Sequence, residues 1–129
     1  MPAGHYVPVI GRLETVVLDC PDPHALAEFY AAVLGLAIVQ EDDDWVDIAP
    51  AGSPPGTRVL SFQLARDLVP PTWPDPTVPQ QLHLDIAVDD ISTAQDRVLS
   101  LGARLISTDH EGFRVFADPA GHPFCLTYG

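Results

Sequence analysis

Short apolar stretches alternate with polar breaks along the chain, and the spacing of the apolar residues changes between two periods. Residues 13–20 are rich in β-branched and apolar side chains, which is typical of a strand, and the Pro-Asp-Pro sequence that follows ends it. Apolar residues then recur at the spacing of one helical face over residues 25–33, with Asp22 placed to cap the helix and Gly35 placed to end it. Two or three strands are expected to follow, at residues 37–40, 45–49 and 58–64.

The second half of the chain repeats this order of elements. A strand stops at Asp90, a helix follows and ends at Gly102, and further strands complete the half. Asp22 corresponds to Asp90 at an offset of 68 positions, and Gly35 corresponds to Gly102 at an offset of 67. An internal duplication explains this correspondence and predicts two βαβββ modules. The elements of the second half are expected at residues 81–88, 91–101, 105–108, 113–118 and 123–128.

A proline-rich segment separates the two halves. Residues 66–79 contain five prolines, which excludes a regular helix or an interior strand. We interpret the segment as an extended and stiff linker. The 129 residues are therefore assigned to a single α+β domain, with module one at about residues 12–65, the linker at about 66–80 and module two at about 81–128.

The composition limits the classes of binding partner and the cellular compartment that we expect. Apolar residues make up 47% and charged residues 19%, a balance typical of globular proteins. The chain has 18 acidic and only 6 basic residues, so its field repels phosphate backbones and anionic membranes, and neither is an expected partner. Cys20 and Cys125 have apolar neighbours and are interpreted as buried free thiols. Residues 1–11 lack the pattern of a signal peptide, and we expect a cytoplasmic protein.

Two motifs resemble a known superfamily. Residues 25–36, ALAEFYAAVLGL, resemble the helix that opens each module of the vicinal oxygen chelate superfamily, which includes glyoxalase I, bleomycin-resistance proteins and extradiol dioxygenases. Residues 116–126, FADPAGHPFCL, resemble its closing strand, turn and strand. A proline-rich segment followed by QLHLDI is similar to a glyoxalase-like branch of unassigned substrate. The resemblance implies that the eight strands form an open cup with the helices outside, and that the protein is a homodimer.

The resemblance also implies a set of ligand positions for a divalent metal at the bottom of the cup. These positions are Thr15, Gln63, His83 and Cys125 in this sequence. The set contains one imidazole, one soft thiol and no carboxylate, which is a poor donor set for a divalent ion that prefers nitrogen and oxygen ligands. Asp85 shares the strand face of His83 and could contribute an oxygen. A metal held by His83, Gln63 and Cys125 is therefore the less favoured of two hypotheses.

His83 is the main candidate for function. It alternates with two leucines, so its side chain is expected to point away from the helix and into the cup, together with Asp85. There it would hydrogen-bond a ligand or act as a base, and we name His83 and Asp85 as the catalytic candidates.

Further candidates would contact a ligand. Trp73 lies in the linker, where it would either pack or close over the cup, and Trp45 lies in a strand, where it would either pack or line the cup. Arg114 would bind a carboxylate or pair with one of the many acids. Gln63 and Cys125 complete the ligand-binding set. The first hypothesis is a small-molecule-binding protein whose ligand is aromatic or cationic, and the alternative is a divalent-metal-dependent lyase, isomerase or dioxygenase.

Overall fold

Two open four-stranded sheets, each with one helix, make up the fold. The computed structural model describes residues 9–73 and 75–129, so most of the segment in which a signal peptide was sought lies outside the described residues. The sheet orders are β1-β4-β3-β2 and β5-β8-β7-β6, and in each sheet the first and last strands of a module pair in parallel. The predicted α+β class and the two βαβββ modules are confirmed. The elements are β1 (Val16–Cys20), α1 (Pro23–Leu34), β2 (Ala37–Glu41), β3 (Trp45–Ala49), β4 (Leu60–Leu64), β5 (Leu84–Ala87), α2 (Ile91–Ser100), β6 (Arg104–Ser107), β7 (Phe113–Ala117) and β8 (Pro123–Thr127).

The two helices begin in the same way. The Asp22 side chain accepts a hydrogen bond of 3.1 Å from the backbone N–H of Ala25, and the Asp90 side chain accepts one of 3.2 Å from Thr93. Each carboxylate satisfies a backbone donor that has no partner inside the first helical turn. In the described part of the chain, neither helix has the length and apolar character needed to cross a bilayer.

Strand β5 is shorter than the sequence predicts. It begins at Leu84, which pairs with Phe124 in the parallel register with β8. One step earlier, His83 would have to pair with Pro123, which has no backbone N–H to donate. His83 therefore lies immediately before the strand.

One hydrophobic core contains side chains of both modules. The rings of Phe29 and Phe124 pack edge to face with their centroids 5.8 Å apart, and Tyr30 stacks on Phe62 at 5.9 Å. Helix α1 thus contacts its own sheet and the last strand of the other sheet. Because each sheet turns one face towards this core, its other face is available for a site.

The linker is held against the second module. Its described residues form no helix or strand between β4 and β5. Gly121 has a φ of +96°, and a Cβ atom at this position would lie 2.5 Å from the Cβ of Pro70. The glycine therefore allows both the turn before β8 and the close approach of the linker to that turn.

Candidate ligand site on the second sheet

A cavity of about 300 Å³ lies on the face of the second sheet that points away from the core. Leu84, Phe124 and Leu126 pack in the core or against it, so the alternate residues of the same strands point to the cavity. The linker contributes one wall. The lining residues are Trp73 and Gln80 from the linker, His83, Asp85, Phe113, Val115, Pro123, Cys125 and Thr127.

Three chemically active side chains meet in this cavity. His83 Nε2 lies 3.2 Å from Asp85 Oδ1, and Asp85 and Cys125 are direct neighbours in the β5–β8 register. One donor atom from each of His83, Asp85 and Cys125 lies within 4.8 Å of the other two. The structure thus brings together His83 and Asp85, as their alternation predicts, and adds Cys125 to the pair.

The three groups differ in exposure. The side chains of His83 and Asp85 are 41% and 60% exposed, so both can reach a bound molecule, whereas Cys125 is only 7% exposed. Burial, together with the charge and the hydrogen bond of Asp85, raises the pKa of the Cys125 thiol to about 11. The thiol is therefore protonated at neutral pH and is a poor nucleophile there.

An aromatic group forms the rim of the cavity. The imidazole of His110 stacks on Phe113 with the ring centroids 4.5 Å apart, and the Trp73 ring lies 6.4 Å from His110. Trp73 is thus in contact range of the strand β7 side of the cavity rather than isolated in the linker. A ring in this position can both pack against its neighbours and contact a ligand.

Gln63 lies in a different cavity. This second cavity, of about 440 Å³, lies between the linker and the first sheet, with Val17, Asp19 and Gln63 in its wall. Thr15 is also occupied elsewhere, because its hydroxyl lies 2.9 Å from that of Ser61. The metal set of His83, Gln63 and Cys125 is therefore not assembled around one cavity of this chain, and the donors do not fit the pattern that the resemblance implies.

Arg114 and Trp45 do not line the cavity around His83. Arg114 points to the helix side, where its guanidinium donates a hydrogen bond of 2.8 Å to Gln95 Oε1. Its position in β7, between two cavity-facing residues, would have indicated this orientation. The Trp45 indole donates to Asp47 Oδ1 at 2.7 Å, on the first sheet. Neither side chain is therefore in a position to contact a molecule bound beside His83 in this cavity.

The first sheet carries a hydrogen-bonded network around Asp47. This carboxylate is 7% exposed and accepts hydrogen bonds from Ser61 at 2.5 Å and from Trp45. Arg58 is within 3.8 Å of the same oxygen. The network ties β3 and β4 together on the face of the first sheet that points away from the core.

Several cavity residues were not predicted from the sequence. Phe113, Val115 and Thr127 could have been found by strand alternation once Cys125 was placed, since Val115 pairs with Cys125 and Phe113 with Thr127. Gln80 comes from the irregular linker, where no periodicity indicates a direction.

Comparisons with known proteins identify the family of the chain and structures with a similar fold. The sequence model of the family described as a glyoxalase-like domain matches residues 15–127, and the chain belongs to this family. A glyoxalase/bleomycin resistance protein/dioxygenase family enzyme from Burkholderia phytofirmans PsJN has a TM-score of 0.67 at 17% identity, over 89% of this chain and 96% of that chain. The fosfomycin resistance protein FosX from Mesorhizobium loti has a TM-score of 0.66 at 15% identity, over 94% of each chain.

A further similar structure is the bleomycin-binding protein from bleomycin-producing Streptomyces verticillus, complexed with copper(II)-bleomycin. Its TM-score is 0.54 at 20% identity, over 96% of this chain and 99% of that chain. No curated protein matches the sequence significantly. The neighbours confirm the resemblance to the vicinal oxygen chelate fold.

Proposed function

We propose that the protein binds a small organic molecule in the cavity around His83. The observation that carries this proposal is the composition of the cavity wall, which combines a few convergent polar groups with apolar and aromatic surface. A volume of about 300 Å³ is at the lower end of the range found for small-molecule sites. His83 and Asp85 would fix the orientation of the ligand through hydrogen bonds.

The lining favours a neutral or cationic ligand with an aromatic group. Among the described residues of the wall, the only basic side chain is His83, and it lies beside a carboxylate. The sequence contains no lysine and has a net charge of −12. An aromatic group of the ligand would pack against Trp73 and Phe113, where stacking geometry is available.

The structural neighbours support this class of function. One of them is a fosfomycin resistance protein and another is a bleomycin-binding protein complexed with copper(II)-bleomycin. All three neighbours are less than 25% identical to this chain, so they indicate its fold only. The class of ligand is therefore inferred from the cavity of this chain. The homodimer and the cytoplasmic location stay predictions from the resemblance and the sequence.

A fragment screen by NMR on the isotope-labelled full chain tests the proposal. Aromatic fragments, neutral and cationic, should shift the resonances of His83, Trp73 and Phe113. His83→Ala and Trp73→Ala should weaken the affinity of a hit by at least about tenfold, equivalent to about 1.4 kcal/mol. Arg114→Ala is the control, because it removes a side chain on the opposite face of β7.

Two outcomes would contradict the proposal. In one, the fragments that bind shift resonances around Gln63 and Val69, which line the other cavity. In the other, the affinity for a hit falls equally in Arg114→Ala and in His83→Ala.

A further inference from the structure

The cavity between the linker and the first sheet has the features of a second binding site. Its volume is about 440 Å³, which lies within the range found for small-molecule sites. The linker forms one side of it, with Leu68, Val69, Pro71, Val78 and Pro79. We propose that this cavity binds a small aliphatic amine in its ammonium form, with Asp19 as the counter-charge. This inference does not depend on the aromatic ligand proposed for the cavity around His83.

The end of the linker and the residues before β5 form a wall of both cavities. Gln80 and His83 line the cavity around His83, whereas Pro79, Gln81 and Leu82 line the second one. The two cavities share no lining residue in the described part of the chain. An occupant of the second cavity is therefore recognised by a separate set of side chains.

Hydrogen bonds hold the linker side of the second cavity in place. The backbone N–H of Thr72 donates to the backbone oxygen of Val78 at 2.9 Å, and the N–H of Val78 donates to the Thr72 hydroxyl at 2.9 Å. These two bonds close the loop of residues 72–78, and Pro71 and Val78 at its base line the cavity. The wall is thus ordered by its own contacts, so binding would cost little conformational entropy.

Aliphatic surface is exposed in this cavity. Val17, Val69 and Leu82 all line it, and they are 37%, 66% and 46% exposed. A saturated hydrocarbon group in the cavity would remove part of this surface from water, which favours binding. Among the described residues of the wall there is no phenylalanine, tyrosine or tryptophan, so a cation there has to be recognised by a charge rather than by the face of one of these rings.

A carboxylate and an amide lie side by side on the sheet side of the cavity. Asp19 and Gln63 are direct neighbours in the β1–β4 register, and both line the cavity. Their oxygen atoms can accept hydrogen bonds from one ammonium group, and the bond to the carboxylate is charge-assisted. The imidazole of His122, also in the wall, is engaged through Nε2, which lies 2.6 Å from the backbone oxygen of Asp19.

The charge of the surroundings selects a cation. The described wall contains no arginine, and the sequence contains no lysine, so no permanently positive side chain of the wall competes for Asp19. An anionic ligand would meet this carboxylate and a chain with a net charge of −12. The cavity therefore favours an amine over a carboxylate of the same shape.

NMR titration of the isotope-labelled full chain with cyclohexylmethylamine tests the site, because this probe joins a saturated ring to one ammonium group. It should shift the resonances of Val17, Val69 and Leu82. Its affinity should exceed that of cyclohexanecarboxylate, which has the same ring and the opposite charge, by about tenfold or more. Cyclohexylmethanol, which is neutral, should bind with an intermediate affinity.

Variants separate the charge from the apolar contact. Asp19→Asn should weaken the binding of the amine by about fivefold, as expected for a partly exposed ion pair, and leave the binding of the alcohol unchanged. Leu82→Ala should weaken the binding of both probes, because it removes apolar surface. Both side chains are exposed, so the variants should fold. Asp42→Asn, in the exposed β2–β3 turn, makes the same change in net charge and is the matched control for Asp19→Asn.

Any of three results would overturn the proposal. The first is an equal affinity for the amine and the carboxylate. The second is a loss of amine binding in Asp42→Asn as large as that in Asp19→Asn. The third is a set of shifts confined to the surroundings of His83 and Trp73. Since the probes contain no aromatic group and the expected shifts lie in the second cavity, failure here would leave the proposed aromatic ligand standing.

Discussion

The hydroxyl of Tyr30 donates a hydrogen bond of 2.7 Å to Asp118 Oδ2, and this bond joins the helix of the first module to the β7–β8 turn of the second. Both side chains are buried, Tyr30 completely and Asp118 to all but 4%. The other carboxylate oxygen accepts hydrogen bonds from the backbone N–H groups of Ala120 and His122. Burial raises the pKa of Asp118, and the Tyr30 hydrogen bond partly opposes this. Asp118, the acid of the family-like turn, therefore acts as a structural tie.

Replacement of Tyr30 by Phe should weaken this tie. Loss of a hydrogen bond to a buried carboxylate should lower the free energy of unfolding by about 1–3 kcal/mol and raise the pKa of Asp118 further. Urea denaturation measures the first effect and NMR titration of the carboxyl measures the second. In the control, Tyr128→Phe, the hydroxyl removed has no hydrogen bond with the described residues, and neither quantity should change. An unchanged Asp118 pKa in Tyr30→Phe would contradict the assignment.

The Asp47 network should contribute to stability rather than to binding. Asp47→Ala removes the acceptor of the Trp45 indole, whereas Ser61 keeps Thr15 and Arg58 keeps Glu14 as partners. The free energy of unfolding should fall by about 1–3 kcal/mol, because a buried donor without a partner is costly. Asp47→Asn keeps an acceptor oxygen and should lose less. Asp42→Ala, in the exposed β2–β3 turn, should stay within about 0.5 kcal/mol of the unsubstituted chain. Chemical denaturation of the three variants gives the comparison, and equal losses for Asp47→Ala and Asp42→Ala would exclude the network as a stabilising feature.

Gly121 should be required for the position of the linker. Gly121→Ala introduces a side chain at positive φ and also a contact with Pro70, whereas Gly52→Ala introduces only the positive-φ strain, because the space around Gly52 is open. The strained backbone should lower the free energy of unfolding of each variant by about 1 kcal/mol. Gly121→Ala should lose more than this, because its new side chain also meets Pro70. The emission of Trp73 should change only in Gly121→Ala, because displacement of the linker changes its surroundings. Equal stability and unchanged emission in both variants would mean that the linker is not held by this contact.

The two thiols should make the fold sensitive to alkali. Burial is the main cause that raises the pKa of Cys20 from 9.0 to about 12 and that of Cys125 to about 11. The unfolded thiols ionise from about pH 9, while the folded chain keeps its protons. This contribution to stability is therefore complete below pH 9 and is lost as the pH rises towards 11–12. Urea midpoints between pH 8 and pH 11 should show the decline, and Cys125→Ala should make it shallower; an identical slope in that variant would contradict the raised pKa of Cys125.

Local patterns predicted the modules well because the relevant signals lie within a few residues of each other. The N-cap roles of Asp22 and Asp90 are predicted from the residues next to them in the sequence, and the capping hydrogen bonds form as expected. The site was harder to predict because it depends on which strands become neighbours. The contact of Asp85 with Cys125 follows from the β5–β8 register, which joins residues 40 positions apart. Gln63 was assigned by its module position, yet it lines a different cavity from His83.

The packing of helix α1 against both sheets shows how far the two copies have diverged. Phe29 and Tyr30 reach across to Phe124, whereas the positions 68 residues later in the second helix are Arg97 and Val98, which cannot make the same aromatic contact. The first module thus supplies the aromatic packing between the modules, and the second carries the cavity around His83. The two helices are therefore not interchangeable, because the aromatic contact between the modules depends on the rings of α1.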